Sequence, residues 1–340
     1  MTSGISRHVT ESDRHRTAWR EAGPADGRLM IFLHGWPELG LVWDPQLAHF
    51  AARGWRCIAP DMRGYGGSLV PSEIAAYGVR EIVAGMIELH DALGGTPAVW
   101  VGHDWGAPIA WGIAAHHAER CLGVAGICVS YFARGLTLDA LVPLVDRAIY
   151  PIERFPVGQW DYWLYHREQF ERSACDLEAN VANTIATLYR RAKPRVASEP
   201  AAMAGIRANS GWFGSVGVAP TIPRDQNFMS QTAFDTVVQA FAQTGFRGAN
   251  AWYLNDAPNA AFAAEAPNFG RLSKPTLFIH ATEDAVCDTL HTRLAEPMRE
   301  ACANLTEMTV QCGHTVSLEA PAALNTAIEH WVAEQGVGIA

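Results

Sequence analysis

No uninterrupted apolar run in the 340-residue sequence is long enough to span a bilayer. The N-terminus, Met1 to His8, continues polar, with no apolar segment behind a basic start, so no secretory leader is expected. Basic charge is scarce: 26 Lys+Arg stand against 35 Asp+Glu, a formal net charge of −9. General binding to nucleic acid or to an anionic membrane needs clustered positive charge, and the balance argues against both. The cysteines, Cys57, Cys121, Cys128, Cys175, Cys287, Cys302 and Cys312, are scattered, odd in number and form no Cys-x-x-Cys pair. That argues against a disulfide framework and gives no support to a zinc site; reduced thiols in a cytoplasmic protein are expected. Internal repeats and low-complexity tracts are missing too. Apolar residues are plentiful: 49% are hydrophobic against 18% charged, enough for a sizeable core.

Short apolar runs occur at Leu29–Leu33, Cys57–Ala59, Ala98–Val101 and Val124–Val129. Runs apolar on both faces suit central strands of a parallel sheet covered by helices on each side. Between them lie helical patterns. From Val79 to Leu93, Ile82, Met86, Leu89 and Leu93 form one stripe, widened by Val83 and Ile87 and stopped by Gly94-Gly95. A second helix is expected over Ala107–His117. Such alternation predicts a doubly wound α/β fold. It stops near Tyr131, where an aromatic and Arg-rich helical stretch begins, with an irregular Gly/Pro segment from Asn209 to Asp225. The alternation resumes with strands at Thr276–Ala281 and Leu305–Val310 and helices near Leu290–Ala301 and Pro321–Glu334. The expected organisation is a core over 1–132, a helical cap over 133–262 and a second part of the core over 263–340.

The chemistry centres on Gly102-His103-Asp104-Trp105-Gly106, between an expected strand and an expected helix. A small-x-nucleophile-x-small sequence there makes a tight turn that pushes the central side chain out beside a helix N-terminus. Esterases and lipases place serine at the centre; here it is Asp104. A carboxylate attacks esters poorly, but it can displace a leaving group from a saturated carbon and form an alkyl ester, as epoxides and alkyl halides allow. Hydrolysis of that ester needs a base, for which His314 in Cys312-Gly313-His314 follows the last strand. It also needs an orienting acid, for which Asp284 follows the strand Thr276–Ala281. Glu283 and Asp288 compete with Asp284. The backbone N–H groups of Trp36, in His34-Gly35-Trp36-Pro37, and of Trp105 are placed to form an oxyanion hole. No cofactor and no metal ion are expected.

His34-Gly35-Trp36-Pro37, Asp61-Met62-Arg63-Gly64-Tyr65-Gly66-Gly67-Ser68, Gly102–Gly106 and Cys312-Gly313-His314, in that order, make the sequence resemble the α/β-hydrolase-fold epoxide hydrolases, relatives of the haloalkane dehalogenases. The resemblance covers nearly the whole chain. It implies an α/β-hydrolase fold, a mostly parallel doubly wound sheet with the helical cap inserted between core halves. It also implies two cap tyrosines that donate hydrogen bonds to the epoxide oxygen, one of which gives it a proton as the ring breaks. These map to Tyr162 in Trp160-Asp161-Tyr162-Trp163-Leu164-Tyr165 and to Tyr253 in Gly248-Ala249-Asn250-Ala251-Trp252-Tyr253. Thr315 after the histidine, Ala251 before Trp-Tyr and Leu254 after the second tyrosine depart from the family pattern. Trp36, Pro37, Trp105 and Trp163 are expected to line the substrate cavity, and Trp160, Trp163 and Phe170 suggest an apolar substrate.

Blander readings compete. Asp104 is then a strand-end carboxylate capping a helix, His314 a surface-turn histidine, and Tyr253 a core tyrosine, while Tyr165 competes with Tyr162. At the level of function the rivals are a haloalkane or haloacid dehalogenase with the same Asp, His and acid, and a non-catalytic ligand-binding protein of the same fold. The expected partners are a small epoxide and water, with the choice between monomer and homodimer left open.

Overall fold

The computed structural model describes residues 4–12, 14–194, 196 and 198–337. Eight strands form one sheet: β1 Ser6–Glu11, β2 Arg16–Ala22, β3 Arg28–Leu33, β4 Trp55–Pro60, β5 Ala98–His103, β6 Cys121–Ile127, β7 Thr276–Ala281 and β8 Leu305–Val310. Their order is β1-β2-β4-β3-β5-β6-β7-β8. All pairings from β4 to β8 are parallel, whereas β1 with β2 and β2 with β4 are antiparallel. Every residue of β5 and β7 is buried, which is why these strands read as apolar runs rather than alternating ones.

The α-helices are α1 Asp44–Ala51, α2 Val79–Ala92, α3 Gly106–His116, α4 Leu138–Leu141, α5 Asp161–Glu168, α6 Phe170–Glu178, α7 Val181–Leu188, α8 Gln231–Thr244, α9 Arg247–Ala251, α10 Asp256–Ala264, α11 Glu296–Ala301, α12 Val316–Glu319 and α13 Pro321–Glu334. Helix α2 buries the Ile82, Val83, Met86 and Leu89 stripe that its 3.6-residue period lines up. The two faces of the sheet are separable on β6. A Cβ on Gly123 would meet the Trp331 indole of α13, and one on Gly126 would meet the Trp111 indole of α3. Three residues apart on a strand, these positions point to opposite faces, so α13 and α3 lie on opposite sides.

Helices α4 to α10 all fall between β6 and β7, and their buried polar tips bind the core. Trp252 Nε1 donates to Arg63 O at 3.0 Å, Tyr189 Oη to Pro37 O at 2.5 Å, and Trp36 Nε1 to Asn250 Oδ1 at 3.0 Å. Each such bond is worth about 1 kcal/mol net, but leaving its buried partner unpaired costs more. Among the described residues no helix is long and apolar enough to cross a membrane.

One element went unread and two expectations need correction. The hairpin β1–β2 was not legible, because β1 is mostly exposed and β2 mixes buried with half-buried residues, which gives no apolar run. The run Val124–Val129 stops being a strand at Ile127, since Cys128 takes a left-handed φ of 65°. The helix expected over Leu290–Ala301 is α-helical only from Glu296, behind a 3₁₀ turn over Arg293–Ala295; Pro297 sits in its first turn, where its missing N–H is tolerated.

Candidate active site

The turn between β5 and α3 is built by its glycines. Asp104 adopts φ 48°, a region that disfavours any side chain. A Cβ on Gly102 would lie 2.3 Å from Gly106 O, and one on Gly106 would lie 2.2 Å from Leu33 O. Only hydrogen fits at either place, so the chain can reverse tightly enough to present Asp104 at the carboxyl ends of the strands. The carboxylate sits just before α3, where the helix dipole favours negative charge.

The carboxylate has two partners. Asp104 Oδ1 accepts the Trp36 N–H at 2.6 Å, and Oδ2 lies 3.5 Å from His314 Nε2. Among the described residues no hydrogen bond runs from the Trp105 N–H to the carboxylate; Trp105 forms the N-terminal cap of α3. On the far side, His314 Nδ1 lies 2.6 Å from Asp284 Oδ2, while Asp284 Oδ1 accepts the N–H groups of Val286 at 3.0 Å and Cys287 at 2.9 Å. Burial alone would raise the Asp284 pKa, but the charge and hydrogen bond of His314, with the two N–H donors, bring it down to about 2. Burial works against charge on His314 too, yet Asp284 and Asp104 together hold its pKa well above the ordinary histidine value. Of the three acids considered, Asp284 meets the imidazole; Asp288 instead contacts His291 at 3.0 Å, and the backbone N–H of Glu283 donates to Cys312 O at 2.9 Å.

A second buried pair beneath this row was not anticipated. His103 Nδ1 lies 3.1 Å from Glu38 Oε2, and its Nε2 lies 2.7 Å from the His314 backbone oxygen. Glu38 Oε2 also accepts the Gly35 N–H at 3.1 Å. Burial opposes charge on His103, but the Glu38 carboxylate outweighs it and brings the pKa up to about 10. His103 therefore stays protonated and ties the Asp104 turn, the Gly35 loop and the His314 loop together. The signal was in the sequence: His103 lies inside the Gly102–Gly106 motif and Glu38 directly follows His34–Pro37.

Two cavities meet at Asp104, Tyr162, Tyr253 and Cys287. The narrow one, about 400 Å³, is lined by Trp105, Trp160, Trp163, Leu141 and Leu294 among others. The wide one, about 880 Å³, includes Trp36, Pro37, Leu188, Tyr189, Trp212 and His314. The rings of Tyr162 and Tyr253 stand 5.5 Å apart and nearly perpendicular. Burial foremost, and the nearby Asp104 carboxylate, push both phenols well above the ordinary tyrosine pKa, so each keeps its proton. Tyr165 is turned away, its Oη donating to Asp176 Oδ2 at 2.7 Å. Phe170 lines neither cavity; the Arg247 guanidinium covers its ring at 4.8 Å. The ring of His166 stacks on Tyr253 at 4.7 Å. His166 Nδ1 lies 2.6 Å from Ser173 Oγ, which accepts from Asn250 Nδ2 at 3.1 Å. Asn250 in turn holds the Trp36 indole, so Tyr253, stacked on His166, and the Trp36 loop share one network.

The sequence matches the family described as alpha/beta hydrolase fold over residues 28–321. Epoxide hydrolase A of Mycobacterium tuberculosis (strain ATCC 25618 / H37Rv) is 30% identical over 318 residues, covering 91% of both chains. Bifunctional epoxide hydrolase 2 of Sus scrofa is 27% identical over 92% of this chain, which spans 52% of that longer protein. Among solved structures, that of Epoxide Hydrolase A from Mycobacterium thermoresistibile superposes with a TM-score of 0.78 at 27% identity, covering 97% of this chain and 98% of the other. The chain thus belongs to the alpha/beta-hydrolase-fold family, within the branch that holds the epoxide hydrolases.

Proposed function

We propose that this protein converts an apolar epoxide and water to a vicinal diol through a covalent ester on Asp104. Residues 133–262 act as a cap over a core made of 1–132 and 263–340. The observation that carries the reading is the junction of the two cavities, where one carboxylate and two neutral phenols face the same space.

In the first step Asp104 Oδ2 attacks a ring carbon, the carbon–oxygen bond breaks, and the ring oxygen takes a proton from Tyr162 or Tyr253. Oδ1 is left as the ester carbonyl, already held by the Trp36 N–H. Alkylation removes the negative charge beside His314. Because the hydrogen bond to the Asp104 carboxylate raises the His314 pKa, its loss lowers it and makes the imidazole a competent base for the second step. His314 takes one proton from water, hydroxide adds to Cγ, and the developing oxyanion at Oδ1 draws closer to Trp36 N–H. Collapse expels the product alkoxide, which takes the second water proton from the new carboxylic acid. His314 returns its proton to the tyrosinate.

Incubation with a panel of apolar epoxides and haloalkanes in ¹⁸O-labelled water tests the reading. Diol is expected, without halide release, and the first-turnover label is expected on Asp104. Changing both Tyr162 and Tyr253 to Phe removes both phenol donors at the junction, and ring opening should slow by on the order of 10³-fold. Halide release untouched by the double variant would move the protein to the dehalogenases.

Asp284→Asn gives a prediction with a definite sign. Asp284 raises the His314 pKa, so its loss should shift the midpoint of ester hydrolysis against pH to lower pH. The plateau should fall on the order of 10³-fold, since the imidazolium loses its stabilising charge. Single-turnover rates across a pH series read both effects; an unmoved midpoint would remove Asp284 from the role.

A further inference from the structure

We propose that Asp284, Cys287 and His314 form a latent site for one divalent cation of the zinc or cadmium class, and that the bound cation switches turnover off. One donor atom from each residue, a carboxylate oxygen, a sulfur and an imidazole nitrogen, lies within 4.8 Å of the other two. Metal–ligand bonds of roughly 2.0–2.3 Å place tetrahedral ligands roughly 3.5 Å apart, so side-chain adjustments of about an ångström close the set. The set is one oxygen, one sulfur and one nitrogen, which suits soft or borderline ions and rejects the oxygen-seeking magnesium and calcium. A carboxylate and a thiolate together offset two positive charges. The ion takes the place of the thiol proton, which is released.

Access and reactivity both follow from position. Cys287 and His314 line the wide cavity, and the His314 side chain keeps 33% of its surface open, so a hydrated ion can enter and retain water as a fourth ligand. Glu319 on the same wall adds negative charge along the way. A second donor group, His103, Cys128 and His314, lies close by. It is poorer, because His103 is already held on both ring nitrogens and lines neither cavity. Whichever imidazole nitrogen the ion takes, the result is the same. Bound at Nε2 it occupies the lone pair that accepts the water proton; bound at Nδ1 it replaces the Asp284 contact that orients the ring. Binding stands apart from the epoxide reading; only the loss of turnover rests on it.

Titration of the full chain with cadmium chloride tests the site through the thiolate-to-cadmium absorption band and equilibrium dialysis, with diol formation followed in parallel. The expected result is one ion per chain, a band that saturates with it, and diol formation that falls in step and returns on adding a chelator. Cys287→Ser and His314→Gln should each weaken binding by roughly tenfold or more, with the band lost in the former, while Cys128→Ser and Cys175→Ser keep the wild-type affinity. A wild-type chain with no band at one equivalent overturns the proposal. So does a band that survives Cys287→Ser or disappears with Cys128→Ser. Should Cys287→Ser fail to fold by circular dichroism, unchanged affinity in His314→Gln is the overturning result. Saturable binding to a chain that forms no diol even without metal leaves the cation site standing and removes the epoxide reading.

Discussion

An Asp104→Ala variant is expected to lose diol formation by on the order of 10⁴-fold or more, because the proposed nucleophile has no understudy. Three other carboxylates lie close, and each is engaged. Asp284 accepts from His314, Val286 and Cys287, Glu38 is held by His103 and Gly35, and Glu319 accepts the N–H groups of Ala192 at 3.0 Å and Gly313 at 3.1 Å. None shares the junction of the two cavities with both phenols. The variant should still fold. Alanine at φ 48° adds strain of only about 1 kcal/mol, a small part of a domain's stability. A melting curve separates the two effects: a nearly unchanged transition beside absent turnover is the expected pair. Diol formation within about tenfold of wild type would remove Asp104 from the chemistry.

The second large effect is a trapped intermediate. His314→Gln leaves Asp104 and both phenols in place, so the first step can run; it removes the base, and ester hydrolysis should slow by roughly 10²–10⁴-fold. The enzyme then accumulates as its own alkyl ester. Intact-protein mass spectrometry after mixing with a reactive epoxide should show a gain of one substrate mass, and peptide mapping should place it on Asp104. The order of events matters: the adduct must form at a rate near the wild-type burst and then persist. A variant that forms no adduct would mean that His314 is needed before the carbon–oxygen bond breaks. That would contradict the separation of roles drawn from the 3.5 Å contact with Asp104 Oδ2 and the 2.6 Å contact with Asp284.

Much of this site was readable before any coordinates, for local reasons. The glycines at 102 and 106 have no space for a Cβ, so the turn writes itself into the sequence as small residues at fixed spacing. Asp284 follows a strand that is a plain apolar run and His314 follows the last strand, and the parallel sheet brings the carboxyl ends of β5, β7 and β8 to one edge. What stayed hidden depends on packing across long separations. The pairing of Glu38 with His103 spans 65 residues, and that of Trp36 with Asn250 spans 214. Nothing periodic marks either one. Phe170 illustrates the reverse error: an aromatic in an aromatic-rich stretch was read as a sign of an apolar substrate, although its ring packs under Arg247 and lines neither cavity. The hairpin β1–β2 escaped because an edge ribbon with one wet face carries little apolar signal.

Trp36 works at both ends. Its main chain grips the Asp104 carboxylate, while its indole is fastened to Asn250 in the roof. Raising that roof to let in a bulky molecule would strand a buried indole and a buried amide, and would drag on the same residue that, in the proposed mechanism, holds the oxyanion. The architecture therefore favours slender molecules that thread lengthwise past the junction, one end in each arm, over broad ones that would need the ceiling lifted.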